Sequence, residues 1–353
     1  MTFTRFFSAT VAATTLALVG FSAAADTAED NRRDRPIKAD LLASGLVGSI
    51  GGTVGPDGAL YVPQFGLGEI TRIDPDTGAM TTFASGFPLP AIPGLPGGVF
   101  DVAFVGDTAY ALVTLVDAPD FLNALGLPDT GFNGVYRIDD PSSPTLIADL
   151  GDFSRDNPPP PLFAYVLPEG VQYALEPVDN GLLVTDGHHN RILHVDFSGG
   201  TSVVKQYGNV VPSGLDVFRG QVLLAETGAI AGSPGAYEEI GDITSFGLGD
   251  PMDGGLVAGG ISMAVDVQSG PGRSLYALSQ GIWDPNLDES AAGAPALPYT
   301  GQLLRINRDG SSTVLLDGIN LPTSLHFKGG IAYIVTLSGD VWKLRGISGA
   351  ERN

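Results

Sequence analysis

Cysteine is absent from this sequence. No disulfide can brace the fold, and thiolate catalysis and cysteine-based metal sites are excluded. Basic residues are few: 18 Lys and Arg stand against 39 Asp and Glu, a formal charge of −21 at pH 7. Such a surface repels nucleic acid and anionic membrane and attracts cations and basic partners, while serving solubility in any case. Charged residues make up only 16% of the chain and hydrophobic ones 43%, which excludes a disordered protein. Long stretches of 3.6-residue apolar period are lacking, so a helical protein is excluded too. Beyond the first 25 residues no apolar run is long enough to span a bilayer.

What is abundant is glycine, at 49 residues, with 26 prolines, a composition suited to many tight turns. The N-terminus reads as a signal peptide over residues 1–25. Arg5 supplies its positive region, "FFSATVAATTLALVGF" its short apolar core, and Ala23, Ala24 and Ala25 a small-residue cleavage site. Arg5 is the only charged residue there, so the mature chain is one unit more negative. The expected location is the periplasm or the cell exterior. Residues 26–37, with "DTAEDNRRDRP", read as a flexible polar leader, and 347–353 as a C-terminal tail.

The body, residues 38–346, is a divergent repeat. A strand, a short polar turn and a second strand recur in "GGTVGPDGALYV", "FDVAFVGDTAYALV", "VQYALEPVDNGLLV", "SGLDVFRGQVLLA", "SMAVDVQSGPGRSLYAL" and "TSLHFKGGIAYIV". A third strand follows each, as in "GEITRIDPDTG" and "NRILHVDFSGG", and a fourth ends in glycine in every copy but the sixth. "KADLLASGL" (38–46) resembles the fourth strand "MTTFASGF" and stands where the sixth copy's missing strand would be supplied. The pattern predicts an all-β, six-bladed β-propeller closed by an N-terminal outer strand in the last blade.

Three of the four histidines fall in "LLVTDGHHNRILHVD" (182–196). Asp186 ends a second strand, Gly187 to Asn190 form an exposed turn, and His194 lies inside the third strand. The adjacent pair His188 and His189 lacks the i, i+4 spacing of a zinc-binding helix, and turn chemistry explains Asp and Gly. Loop lengths nonetheless point to a working face. The insertions 88–98, 114–133, 151–168, 226–240 and 280–300 all belong to second-to-third-strand or blade-to-blade connections, which share one face of a propeller. That face expects polar residues around the channel. Gln64, Thr114, Asp186, Glu226, Gln280 and Thr336 end the second strands; Ser49, Asp101, Gln172, Ser213, Ser262 and Thr323 begin the first. Asp101, Asp186 and Glu226 are candidate ligands of a hard cation such as calcium. Zinc or copper suits this chain less. Glu226, Asp186 and His188 are the candidate acid, base or metal ligand. Gln64, Asp101, Thr114, Asp186, His188, His189, Glu226, Gln280 and the aromatic Trp283 are the expected ligand-binding set.

The phrases "GPDGALYV", "GEITRIDPDTG", "EGVQYALEPVDNGLLVTDGHHNRILHVD", "VPSGLDV" and "GQLLRINRDGSSTVLLDGINLPTSLHF" resemble the ScyD/ScyE family of exported propellers, with NHL-like repeats. The resemblance implies an exported propeller and no settled reaction. The chain departs from it in blade four, where "FRG" replaces "GPDG", and in the "HHN" turn. Gluconolactonase-type propellers hold a divalent metal with Glu, Asn and Asp; here Ser49 stands where their first Glu would be. Strictosidine-synthase-like enzymes use a channel Glu, a part Glu226 could play without the surrounding pattern. Two functions follow: a binding module for a small molecule or exported protein partner, or a hydrolase or lyase, lactonase-like, at the channel mouth.

Overall fold

The computed structural model describes residues 36–92, 95–160, 167–228, 241–284 and 295–347. The expected signal peptide, most of the polar leader and tail, and parts of four of the five insertions lie outside the described residues.

The chain opens with β1 (Lys38–Ala43). β2 (Thr53–Val54), β3 (Leu60–Gln64), β4 (Glu69–Ile73) and β5 (Met80–Ser85) form the first four-stranded sheet. β6 (Gly98–Val105), β7 (Thr108–Thr114), β8 (Gly134–Ile138) and β9 (Thr145–Asp149) form the second. The third holds β10 (Gln172–Val178), β11 (Gly181–Asp186), β12 (Arg191–Asp196) and β13 (Thr201–Gln206). The fourth holds β14 (Pro212–Phe218), β15 (Gln221–Glu226), β16 (Gly241–Gly247) and β17 (Gly254–Ile261). The fifth holds β18 (Ala264–Ser269), β19 (Leu275–Ser279), β20 (Gly301–Ile306) and β21 (Ser312–Ile319). β22 (Pro322–Lys328), β23 (Ile331–Thr336) and β24 (Val341–Arg345) make the last, and β1 completes it beside β24. Each sheet is antiparallel and each is a blade: the molecule is a six-bladed β-propeller.

The closing register runs from Lys38 opposite Arg345 to Ala43 opposite Val341. An exposed ion pair between Asp40 and Arg345 accompanies it. The core is distributed between blades rather than gathered at the centre. One hydrophobic cluster fills each of the six blade boundaries among the described residues. Second strands are therefore buried on both faces, and read as continuous apolar runs such as "LLVT" and "AYIV" rather than as alternating ones. Outer strands face water, as the exposed starts of β5 and β21 show.

Among the described residues two short α-helices interrupt the all-β pattern, one inside and one at the start of an expected insertion. α1 (Pro119–Ala124) follows β7. α2 (Leu150–Asp156) follows β9, capped by the Asp149 carboxylate, which accepts from the Asp152 amide at 2.8 Å. Among the described residues no helix is long and apolar enough to cross a membrane.

Candidate functional site

Most of the residues expected around the long-loop face are engaged within the protein. Gln64 accepts from the Val47 amide at 2.8 Å and donates to Thr71 at 2.6 Å. Thr114 donates to the Gln172 side chain and accepts from the Gln172 amide. Gln280 accepts from the Ala296 amide. Thr336 accepts from the Asp340 amide at 3.0 Å. Trp283 is half-buried and borders residues 285–294, outside the described segments.

Asp101, Asp186 and Glu226 are not brought together. Asp101 accepts from the Gly52, Val102 and Leu175 amides at 2.8–2.9 Å. Asp186 accepts from Arg191 Nε at 2.8 Å and the Val171 amide. Glu226 accepts from the Thr244 hydroxyl at 2.7 Å. No partner is shared. Among the described residues no group of three or more His, Asp or Glu side chains could hold a metal ion. The physical reason is position: Asp186 and Glu226 end second strands, one strand out from the channel wall, whereas Asp101 lies within an inner strand. Burial raises the Glu226 carboxyl, opposed by the Thr244 hydrogen bond. The buried Tyr207 hydroxyl, which feels the Glu226 charge, has no hydrogen-bond partner among the described residues.

The "DGHHNR" segment is not the exposed turn that its composition suggested. His189 is fully buried, its Nε2 is 3.1 Å from the Leu167 carbonyl, and its Nδ1 is 3.4 Å from Asp186. Arg191 is buried as well. Its guanidinium donates to Asp186, to the Asn157 carbonyl at 2.6 Å and to Ser154 at 2.9 Å, and packs over the Phe153 ring. Helix α2 and residues 157 and 167 therefore cover the turn, which loop length alone did not reveal. His188 stays partly exposed beside Tyr173, and burial with its neighbour His189 lowers it to about 4. A second anchor of this region is Arg155, paired at 3.1 Å with the buried Asp117 and Glu169.

A cavity of about 280 Å³ lies at the other end of the channel, where the short turns join inner to second strands. Each inner strand contributes to it near its turn: Thr53, Phe104, Glu176, Asp216, Gln268 and His326, with Val54, Pro177 and Phe327 beside them. Tyr61 holds the Phe104 ring and Tyr276 holds Phe327, each at 4.8 Å between centroids. Burial pushes His326 down to about 4, so it is neutral at pH 7. Glu176 stands well above the usual carboxylate range, through burial first and then the charges of Asp216, Asp101 and Asp266. Asp266 is raised well above its usual value and Asp216 is raised, both chiefly by burial. Asp101, with three amide donors against its burial, reaches about 7.

Of these residues the sequence reading had singled out Asp101 alone. The cavity residues Thr53, Phe104, Glu176, Asp216, Gln268 and His326 stand two or three residues before the turns "PDG", "GD", "DNG", "RG", "GPG" and "GG".

These carboxylates also tie blades together. Asp101 bonds Gly52 of the first blade and Leu175 of the third. Asp266, in the opposite blade, accepts from the Leu325 amide at 2.7 Å, across the boundary to the last. Asp216 accepts from the Ser269 amide at 2.6 Å between the fourth and fifth. The boundary between the last and first blades is closed by Thr323 to the Ser49 carbonyl and Lys328 to the Gly58 carbonyl.

No protein-family model matches the chain. No curated protein matches it. Solved structures do. A gluconolactonase of Xanthomonas campestris superposes with a TM-score of 0.57 at 11% identity, covering 88% of this chain and 89% of its own. A putative gluconolactonase gives 0.56 at 13%, covering 90% and 94%. Virginiamycin B lyase of Staphylococcus aureus gives 0.51 at 14%, covering 88% and 99%. At such identities the likeness shows the fold alone, a six-bladed propeller shared with binding proteins and enzymes of unlike chemistry.

Proposed function

We propose that the protein is an exported binding module of the ScyD/ScyE type, and that it takes a small molecule in its central channel. The observation that carries this reading is the cavity ringed by Thr53, Phe104, Glu176, Asp216, Gln268 and His326. Acceptors on Glu176, Asp216 and Gln268 line one side of it, on three consecutive blades, and Phe104 and Phe327 flank them on the second and sixth, a lining that suits a molecule carrying hydroxyl or amino groups on an apolar frame. The long-loop face, by contrast, spends its expected site residues on its own turns, so the reading moves the ligand to the short-turn end. Export rests on the N-terminal 25 residues, whose basic, apolar and small-residue regions follow in signal-peptide order.

The test is a thermal-shift panel of monosaccharides, sugar lactones and aliphatic amino alcohols on the mature protein, with Thr53→Trp filling the cavity. A compound that raises the melting temperature of the wild type and not of Thr53→Trp supports the site. No shift with any compound, or equal shifts in both proteins, overturns it. Lactone hydrolysis lost in Glu226→Gln but kept in Thr53→Trp would favour a lactonase on the opposite face.

A further inference from the structure

Buried acids near the long-loop face are matched by cations of the protein itself. Asp117 and Glu169 pair with Arg155 at 3.1 Å, and Asp186 pairs with Arg191 at 2.8 Å. The cavity at the short-turn end differs. Glu176 and the buried Asp216 both line it, and among the described residues neither has an ion-pair partner. Its lining includes no Lys or Arg, and its one histidine, His326, is neutral at pH 7. Nothing in the wall answers the two carboxyl groups with positive charge.

The wall is also two-sided. Glu176, Asp216 and Gln268 stand on the third, fourth and fifth blades, consecutive in the ring. Across the channel stand the sixth, first and second blades, which bring Phe327, Val54 and Phe104. Tyrosines brace both rings, Tyr276 behind Phe327 and Tyr61 behind Phe104, each at 4.8 Å between centroids. One side therefore offers carboxyl and amide oxygens, and the other offers pre-positioned hydrocarbon. A neutral polyol would leave the acids without a counter-charge and the rings without an apolar partner. An anion would be repelled.

We propose that the cavity selects an organic cation: a small primary ammonium ion whose N–H groups meet Glu176, Asp216 and Gln268 while its apolar body lies against Phe104 and Phe327. The inference rests on the reading that the channel takes a small molecule, and it fixes that molecule's charge and shape. An ammonium group carries only donors, the complement of a wall of acceptors, and its bonds to carboxylates are the strong, charge-assisted kind. At about 280 Å³ the cavity is near the lower limit of ligand sites, which run from roughly 300 to 1,000 Å³, so a body of one ring or a short alkyl chain suits it. The chain's formal charge of −21 draws cations towards it in any case.

Calorimetric titration of the mature protein with probes of one shape tests this: benzylammonium, benzyl alcohol and benzoate. Benzylammonium should bind, benzyl alcohol should bind about tenfold or more weakly, and benzoate should not bind. Glu176→Gln and Asp216→Asn each keep the size of the side chain and remove its charge. Each should weaken benzylammonium by about tenfold or more and leave benzyl alcohol nearly unchanged. Thr53→Trp should abolish binding of both. Benzyl alcohol bound as tightly as benzylammonium, with both lost in Thr53→Trp, overturns the selection of a cation and leaves the channel reading standing. Benzylammonium bound equally well by wild type, Glu176→Gln and Asp216→Asn also overturns it. So does a failure of benzylammonium to bind at millimolar concentration; monosaccharides or sugar lactones that still shift the wild type and not Thr53→Trp would then preserve the channel reading, and their failure as well would remove both. If Asp216→Asn does not fold, because that carboxylate holds the Ser269 amide, Glu176→Gln decides alone.

Discussion

Arg191 shows how one side chain can decide the meaning of a motif. It is among the largest fully buried side chains in the protein, and its hydrogen bonds run to Asp186, Ser154 and the Asn157 carbonyl. The bonds fasten helix α2 over the turn that contains both adjacent histidines. Removing one partner of a buried pair leaves the other charge desolvated and alone, which costs about 3–5 kcal/mol. Arg191→Met should therefore destabilise the protein by that order. Adding Asp186→Asn should recover part of the loss, because the orphaned charge is then gone. Urea denaturation of the three proteins checks both statements, and a Met variant as stable as wild type would leave Arg191 with no structural part. His189 belongs to the same buried cluster, whereas His188 is partly exposed.

At the scale of the element, β1 matters most. It supplies the fourth strand of the last blade, hydrogen-bonded to β24 over Lys38 to Ala43. Its Ala43 and the following Leu46 join the cluster between the last and first blades, with Leu60, Val62 and Val335. Gly78 approaches the Leu42 carbonyl so closely that a Cβ there would clash with it, and the φ of +73° at Gly78 suits only glycine in any case. Deleting residues 26–46 exposes the edge of β24 and uncovers one side of that cluster. The expected outcome is aggregation or a broad, non-cooperative melt by calorimetry. A truncated chain that melts like the mature protein would show that the closure is dispensable.

For the whole molecule, the pH response is set by two opposed groups of residues. His188 and His326 are pushed to about 4 by burial, below the usual 6.5. Each contributes stability that is complete above its unfolded pKa and is lost as pH falls from 6.5 through about 4. The channel acids act in the other direction. Asp101, raised from 3.8 to about 7, contributes stability that declines as pH rises across that interval. Between about pH 4 and 7 the two groups offset one another. Replacing both His188 and His326 by Gln should flatten the acid limb of a plot of urea midpoint against pH and leave the alkaline limb in place. An acid limb as steep as that of wild type would assign it to other groups.

The sequence alone determined the architecture. Repeated strand phrases, glycine-ended fourth strands and the likeness of "LLASG" to "TFASG" predicted six blades and the N-terminal closure, because a blade is a local unit whose turns and β-branched runs are written in consecutive residues. The same is true of Asp186 ending a strand and Arg191 beginning the next. The site was decided only by tertiary structure. Whether a polar residue at a strand end faces the channel, a neighbouring turn or a covering helix depends on contacts between residues far apart in the chain. Asp101 meets Gly52 and Leu175, Asp266 meets Leu325, and Arg191 meets Ser154 and Asn157. Glu176, Asp216, Gln268 and His326 looked like ordinary ends of inner strands until the ring set them around one cavity. Local patterns fix local geometry, but burial and charge are properties of what the closed ring brings together.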